Sequence, residues 1–138
     1  MFIGILRDKL YNLIYSTSGQ KFEQVKYAGG NSISILNYMG ETFTNKDFSE
    51  TILRNAIFEG GVCDNSSFSD AELQDSSFID SSMLYVNLEN SKLEGALFEG
   101  IGQITAMALD KRERNLAFGT INEMYQSSIL KILEKFLA

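Results

Sequence analysis

Carboxylates are the only residues in this chain dense enough to suggest chemistry. Asp64, Asp70, Glu72, Asp75 and Asp80 fall between positions 64 and 80. Paired carboxylates do acid–base work when their environments push their pKa values apart, and carboxylate clusters can hold a hard cation. Neither use is favoured. Pairs such as Asp70 and Glu72 have no basic or histidine companion in the pattern and read as solvated surface. Histidine is absent from all 138 residues, which removes Ser-His-Asp and Cys-His sites and most zinc geometries. Only carboxylate or lysine chemistry stays open. The lone cysteine, Cys63, excludes an internal disulfide, fits a reducing compartment and reads as a core thiol. "YAGGN", 27 to 31, is glycine-rich but lacks the lysine and the strand–helix context of a phosphate loop; it reads as a turn. No catalytic residue, cofactor or metal site is expected, and no enzymatic activity.

The carboxylates belong to a wider asymmetry. Residues 41–100 hold twelve acids against Lys46, Arg54 and Lys92, a local charge of −9 within a chain of net −6. Such a body repels nucleic acid and anionic membrane and attracts basic partners. No apolar run reaches the length of a membrane span. Arg7, Asp8 and Lys9 interrupt the first apolar run too early for a signal peptide. A cytoplasmic location is expected, either the producing cell's own or a recipient's.

What holds these acids in place repeats every five residues. Phe43, Phe48, Leu53, Phe58, Cys63, Phe68, Leu73, Phe78, Met83, Leu88, Leu93 and Phe98 form an unbroken series of apolar residues. Two positions before each lies a small residue in nearly every unit, and the other three are mostly polar. Neither a helix nor a strand has this period. A small and a large residue two apart point the same way on an extended segment; three polar residues then turn a corner. Four such sides make a coil of twenty residues, and the sequence echoes at twenty. Leu53, Leu73 and Leu93 form one column, Phe58, Phe78 and Phe98 the next, and Phe48, Phe68 and Leu88 a third. Ile33 and Tyr38 extend the leucine and phenylalanine columns backward, so the stack is expected to begin near Asn31.

The units "AELQD" (71–75), "VNLEN" (86–90) and "SKLEG" (91–95) resemble the pentapeptide repeat family, whose motif is A-(D/N)-L-x-x. The resemblance covers residues 41 to 100 and extends weakly over 31 to 40. It implies an all-β solenoid, a right-handed quadrilateral β-helix of three to four coils, with the large residue and its small partner inside. Glu41 and Lys46 occupy small-residue slots, so the first coil is expected to be irregular, with both side chains leaning out.

A stack with two bare ends needs covers. In the N-terminal segment, positions 3, 6, 10 and 13, supported by 2, 5 and 14, fit one helical face, with Gly19 as the stop. Its few, mixed charges argue against a membrane-surface anchor. At the other end Thr120 and Glu123 form a capping box ahead of a stripe that includes Ile129, Ile132, Leu133 and Phe136. The organisation expected is a helix and lead-in over 1–30, the β-helix over 31–100, and a connector with a capping or dimerisation helix over 101–138. Some relatives join end to end through a C-terminal module, and that resemblance implies a homodimer.

One side of the square carries outward apolar residues, Ile57, Ile79 and Leu97, with Leu84 and Tyr85 beginning the next. Either the chain's own segments cover them or a partner protein does. The leading functional reading is a non-enzymatic protein-interaction or scaffold module. The alternative, implied by resemblance to gyrase-protecting members of the family, is an acidic DNA mimic that binds a type II topoisomerase. Three coils rise only about 14 Å, about four base pairs, which favours the first.

Overall fold

The computed structural model describes residues 2–101 together with the backbone of two strands, 104–109 and 115–118. Three helices come first: α1 (Phe2–Ser16), α2 (Phe22–Val25) and α3 (Ala28–Tyr38). From residue 41 to 100 the chain turns at every fifth residue and meets itself at every twentieth. Parallel bridges join Asp47 to Ser67, Ile52 to Glu72, Ile57 to Ser77 and Val62 to Ser82, then Ser67 to Asn87, Glu72 to Lys92 and Ser77 to Leu97. The coils are therefore 41–60, 61–80 and 81–100. The expected all-β character needs correction. Helices fill residues 2–38, and within the coils only β1 (Met83–Asn87) is a continuous strand. Each side makes one bridge before the chain turns, too short for a regular strand. Above β1 the stack continues in parallel with β2 (Ile104–Leu109), which β3 (Asn115–Phe118) joins antiparallel.

The hydrogen bonding repeats with the sequence. The central residue of each side donates to the carbonyl nineteen residues on: Phe43 to Val62, Leu53 to Glu72 and Phe58 to Ser77, all at 2.8 Å, and again one coil higher for Cys63, Phe68, Leu73 and Phe78. The residue before it donates downward, as from Ser67 to Lys46 at 2.9 Å. Inside, Phe58, Phe78 and Phe98 lie vertically, with ring centroids 4.5 and 5.1 Å apart and planes within 4°. Phe48 and Phe68 stack at 5.5 Å, and Phe68 meets Phe58 and Phe78 edge-on. Leu53, Leu73, Leu88 and Leu93 complete a buried column.

The small positions carry a second requirement that composition does not reveal. Thr51, Ser66, Ser76 and Ser81 are buried, and each hydroxyl donates to the carbonyl three residues back, for example Thr51 to Phe48 at 2.6 Å and Ser76 to Leu73 at 2.7 Å. A hydroxyl in the core costs little when satisfied in this way.

The first coil is regular, contrary to the expectation from Glu41 and Lys46. Both side chains hold α1. The Tyr11 hydroxyl donates to Glu41 Oε1 at 3.1 Å, Arg7 lies 3.8 Å from Glu41 Oε2, and Lys46 Nζ sits 4.6 Å from the Tyr11 ring centroid. Burial, with the Glu41 carboxylate second, pushes the Tyr11 phenol up, so it stays a donor. The buried face of α1 also differs from the predicted one. Leu10, Tyr11 and Ile14 are buried, while Ile3, Leu6 and Leu13 are exposed. The docked stripe continues into Thr17 and contains two polar groups that bond to the stack, so counting apolar residues alone selects the wrong stripe.

The stack begins at 41, not near 31. Residues 28–38 are α3, and Ile33 is buried while Tyr38 is 94% exposed. Five residues along a helix rotate the side chain by about 140°, so their five-residue spacing cannot place both inside. "YAGGN" is the start of α3, not a turn into the coil. Gly29 and Gly30 let the helix lie against backbone: an added Cβ would come 2.3 Å from the Ile52 carbonyl oxygen and 2.1 Å from that of Arg54. The C-terminal helix expected from Thr120 onward, with Ile129, Ile132, Leu133 and Phe136, lies outside the described residues.

Candidate functional site

Every fifth residue from 45 to 100 turns the corner with positive φ. Asn45, Glu50, Asn55, Asn65, Asp70, Asp75, Asp80, Tyr85 and Asn90 cluster at φ 57–63°, with Gly60, Gly95 and Gly100 at 66–76°. Asn, Asp and Gly tolerate this left-handed region, and other side chains are strained in it. Three of the five clustered carboxylates, Asp70, Asp75 and Asp80, thus stand where the backbone selects their type. The other acids are partly engaged. Glu72 accepts from the Arg54 guanidinium at 2.9 Å, which corrects its assignment as a carboxylate without a basic companion. Arg54 also lies 4.2 Å from the Phe22 ring centroid and so ties α2 to the coils. Asp64 Oδ1 accepts from Ser82 Oγ at 2.7 Å and from the Leu84 N–H at 2.9 Å. Asp47 accepts from the Ser49 hydroxyl and N–H, and these bonds hold it below the usual carboxylate range.

Among the described residues, no group of three or more His, Cys, Asp or Glu side chains could hold a metal ion. Cys63 is fully buried, and burial pushes its thiol up, so it is a core residue with little thiolate. No helix of the described residues is long and apolar enough to cross a membrane.

The apolar candidates separate by side. On the fourth side of each coil (56–60, 76–80 and 96–100), Ile57 and Leu97 are vertical neighbours of Ser77, one below and one above, and each is 47% exposed. Ile79, one position past the phenylalanine column, is half-buried. The same side bears Glu59, Asp80 and Glu99, all exposed, and no lysine or arginine. Ser77 Oγ donates to Glu59 Oε1 at 2.8 Å, which draws that carboxylate toward the column. Leu84 and Tyr85 belong to a different side; Leu84 is half-buried and Tyr85 is 69% exposed. The structure thus brings Ile57, Ile79 and Leu97 together and leaves Leu84 and Tyr85 apart from them.

The lower edge of this side is closed by α3, through contacts that sequence reasoning missed. Ser34 Oγ accepts the Ile57 N–H at 2.9 Å, and Asn37 Nδ2 donates to the Glu59 carbonyl at 2.9 Å. On the neighbouring side Thr17 Oγ1 accepts the Ile52 N–H at 2.9 Å. These are the donors and acceptors that a coil below would have paired. The signal was faint: isolated Ser and Asn in a helix and a Thr just past the end of another, where such residues are common without any partner.

The sequence profile of pentapeptide repeats matches residues 62–100 in eight copies. The coil that the match leaves out is the one whose small slots hold Glu41 and Lys46. No curated protein and no solved structure gives a significant match to the chain. Residues 62–100 are thus a run of pentapeptide repeats, and the same five-residue corners and twenty-residue bridges extend the pattern over 41–100.

Proposed function

We propose that this chain is a non-enzymatic protein-interaction module, built as the right-handed quadrilateral β-helix typical of its family, with the fourth side as its contact surface. One observation carries the reading: Ile57 and Leu97 stand in one outward column, one on each side of Ser77 and each about half exposed, at positions where the repeat needs only polar residues. Aligned aliphatic side chains left in water mark a contact. The acidic DNA mimic of a type II topoisomerase has less support. Asp70, Asp75 and Asp80 are accounted for by the corner backbone, and Glu72 is paired to Arg54.

The test is retrieval of bound protein from cell extract by the tagged chain and by an Ile57→Asp/Leu97→Asp variant. The variant should unfold at the same temperature as the parent and lose a specific bound species. Identical retrieval by both proteins would refute the reading. So would unfolding of the variant, because the column would then be part of the chain's own packing.

A further inference from the structure

Helix α1 is used along only half its length. Leu10, Tyr11 and Ile14 dock beneath the first coil, whereas residues 2–9 are exposed except for the half-buried Gly4. This free half is strongly apolar: Phe2 is 83% exposed, and Ile3, Ile5 and Leu6 are also exposed. Phe2, Leu6 and Leu13, with Lys9 among them, recur at helical spacing as a stripe distinct from the docked one. A shallow depression lined by Lys9, Asn12, Leu13 and Ser16 runs beside it.

We infer that the occupant of the fourth side is this outward stripe of α1, Phe2, Leu6 and Leu13, from a second copy of the chain; the inference rests on reading that side as a binding surface. Three features match. Both surfaces are apolar and both are exposed among the described residues. Their spacings agree: Ile57 and Leu97 lie two coils apart, about 10 Å, and Leu6 and Leu13 lie seven residues apart on a helix, about 10.5 Å. Their charges are opposite. The stripe carries Lys9, beside Asp8 and beside Arg7, which also lies 3.8 Å from Glu41 of its own chain, while the fourth side carries Glu59, Asp80 and Glu99 with no base. Rim charges of this kind set orientation and speed association more than they add affinity. Exchanged reciprocally, the two contacts close a twofold dimer.

Light scattering across a concentration series should give a dimer for the full chain, and the dimer should weaken at least tenfold in Leu6→Asp and in Leu97→Asp. A chain that stays monomeric at high concentration overturns the inference, as does a dimer indifferent to either substitution. Cross-linking keeps the test decisive if an aspartate variant fails to fold. Mixing Leu6→Cys with Ile57→Cys or Leu97→Cys under mild oxidation should give disulfide-linked dimers that neither parent forms alone, the buried Cys63 thiol taking no part. Cross-linking of Leu6→Cys alone would show helix pairing with helix and overturn the assignment. If no dimer forms but Ile57→Asp/Leu97→Asp still loses a retrieved protein, this inference fails and the fourth side remains a site for another partner.

Discussion

Ile52 and Leu53 are consecutive residues of the first coil, and their backbones meet different neighbours. Leu53 sends its N–H upward to the Glu72 carbonyl at 2.8 Å; Ile52 sends its own downward to the Thr17 hydroxyl at 2.9 Å. Above the first coil, backbone pairs with backbone, and the pattern repeats on every side. Below it, three backbone groups are met by side chains: Ile52 by Thr17, Ile57 by Ser34 and the carbonyl of Glu59 by Asn37. A coil–coil junction asks only for the right class of residue at each of five positions. The helix–coil junction needs particular atoms at particular points, including two glycines where a Cβ would meet backbone. An exposed sheet edge templates association, and here the edge is sealed one bond at a time.

Breaking the upper junction should have the largest effect. Phe68 contacts the rings of Phe48, Phe58 and Phe78 and is fully buried. Phe68→Ala should cost about 3–5 kcal/mol, read as a fall in the denaturant midpoint. A loss below 1 kcal/mol would mean that the column is not the stabilising element.

The lower junction should break more mildly and more specifically. Thr17→Val keeps the volume but leaves the buried Ile52 N–H without an acceptor, at about 1–3 kcal/mol. Thr17→Ser should recover most of it. If Ser and Val behave alike, the hydroxyl is not the capping group and the contrast between the junctions fails.

The smallest effect has the opposite sign. Tyr85 turns a corner at φ 58°, where an aromatic residue is strained and where the two coils below place Asn45 and Asn65. Tyr85→Asn should raise stability by about 1 kcal/mol, seen as a higher midpoint in thermal unfolding. A decrease would show that the Tyr85 ring contributes contacts worth more than the strain.

The same contrast explains what the sequence made legible. The five-residue period located every coil from 41 to 100 and the vertical neighbours Phe58, Phe78 and Phe98, because a self-stacking structure must repeat whatever it buries. It also placed Ile57 and Leu97 on one side. The period overreached at Ile33 and Tyr38, which matched the register while belonging to α3. In α1 the docked face was hidden because Tyr11 and Thr17, polar residues, belong to it. The purpose of Glu41 and Lys46 was equally hidden: they look like faults in the repeat until Tyr11 is placed between them. The pairing of Arg54 with Glu72, eighteen positions apart, becomes visible only once the twenty-residue coil brings them together.

The offset of nineteen residues between donor and carbonyl has a genetic consequence. Because it is the same on every side measured, copying residues 61–80 in tandem would give the new backbone partners already of the right kind above and below. The helices at the base would be untouched. Height is therefore an inheritable variable that one duplication event can change, and the distance between whatever grips the two ends can evolve without redesigning either grip.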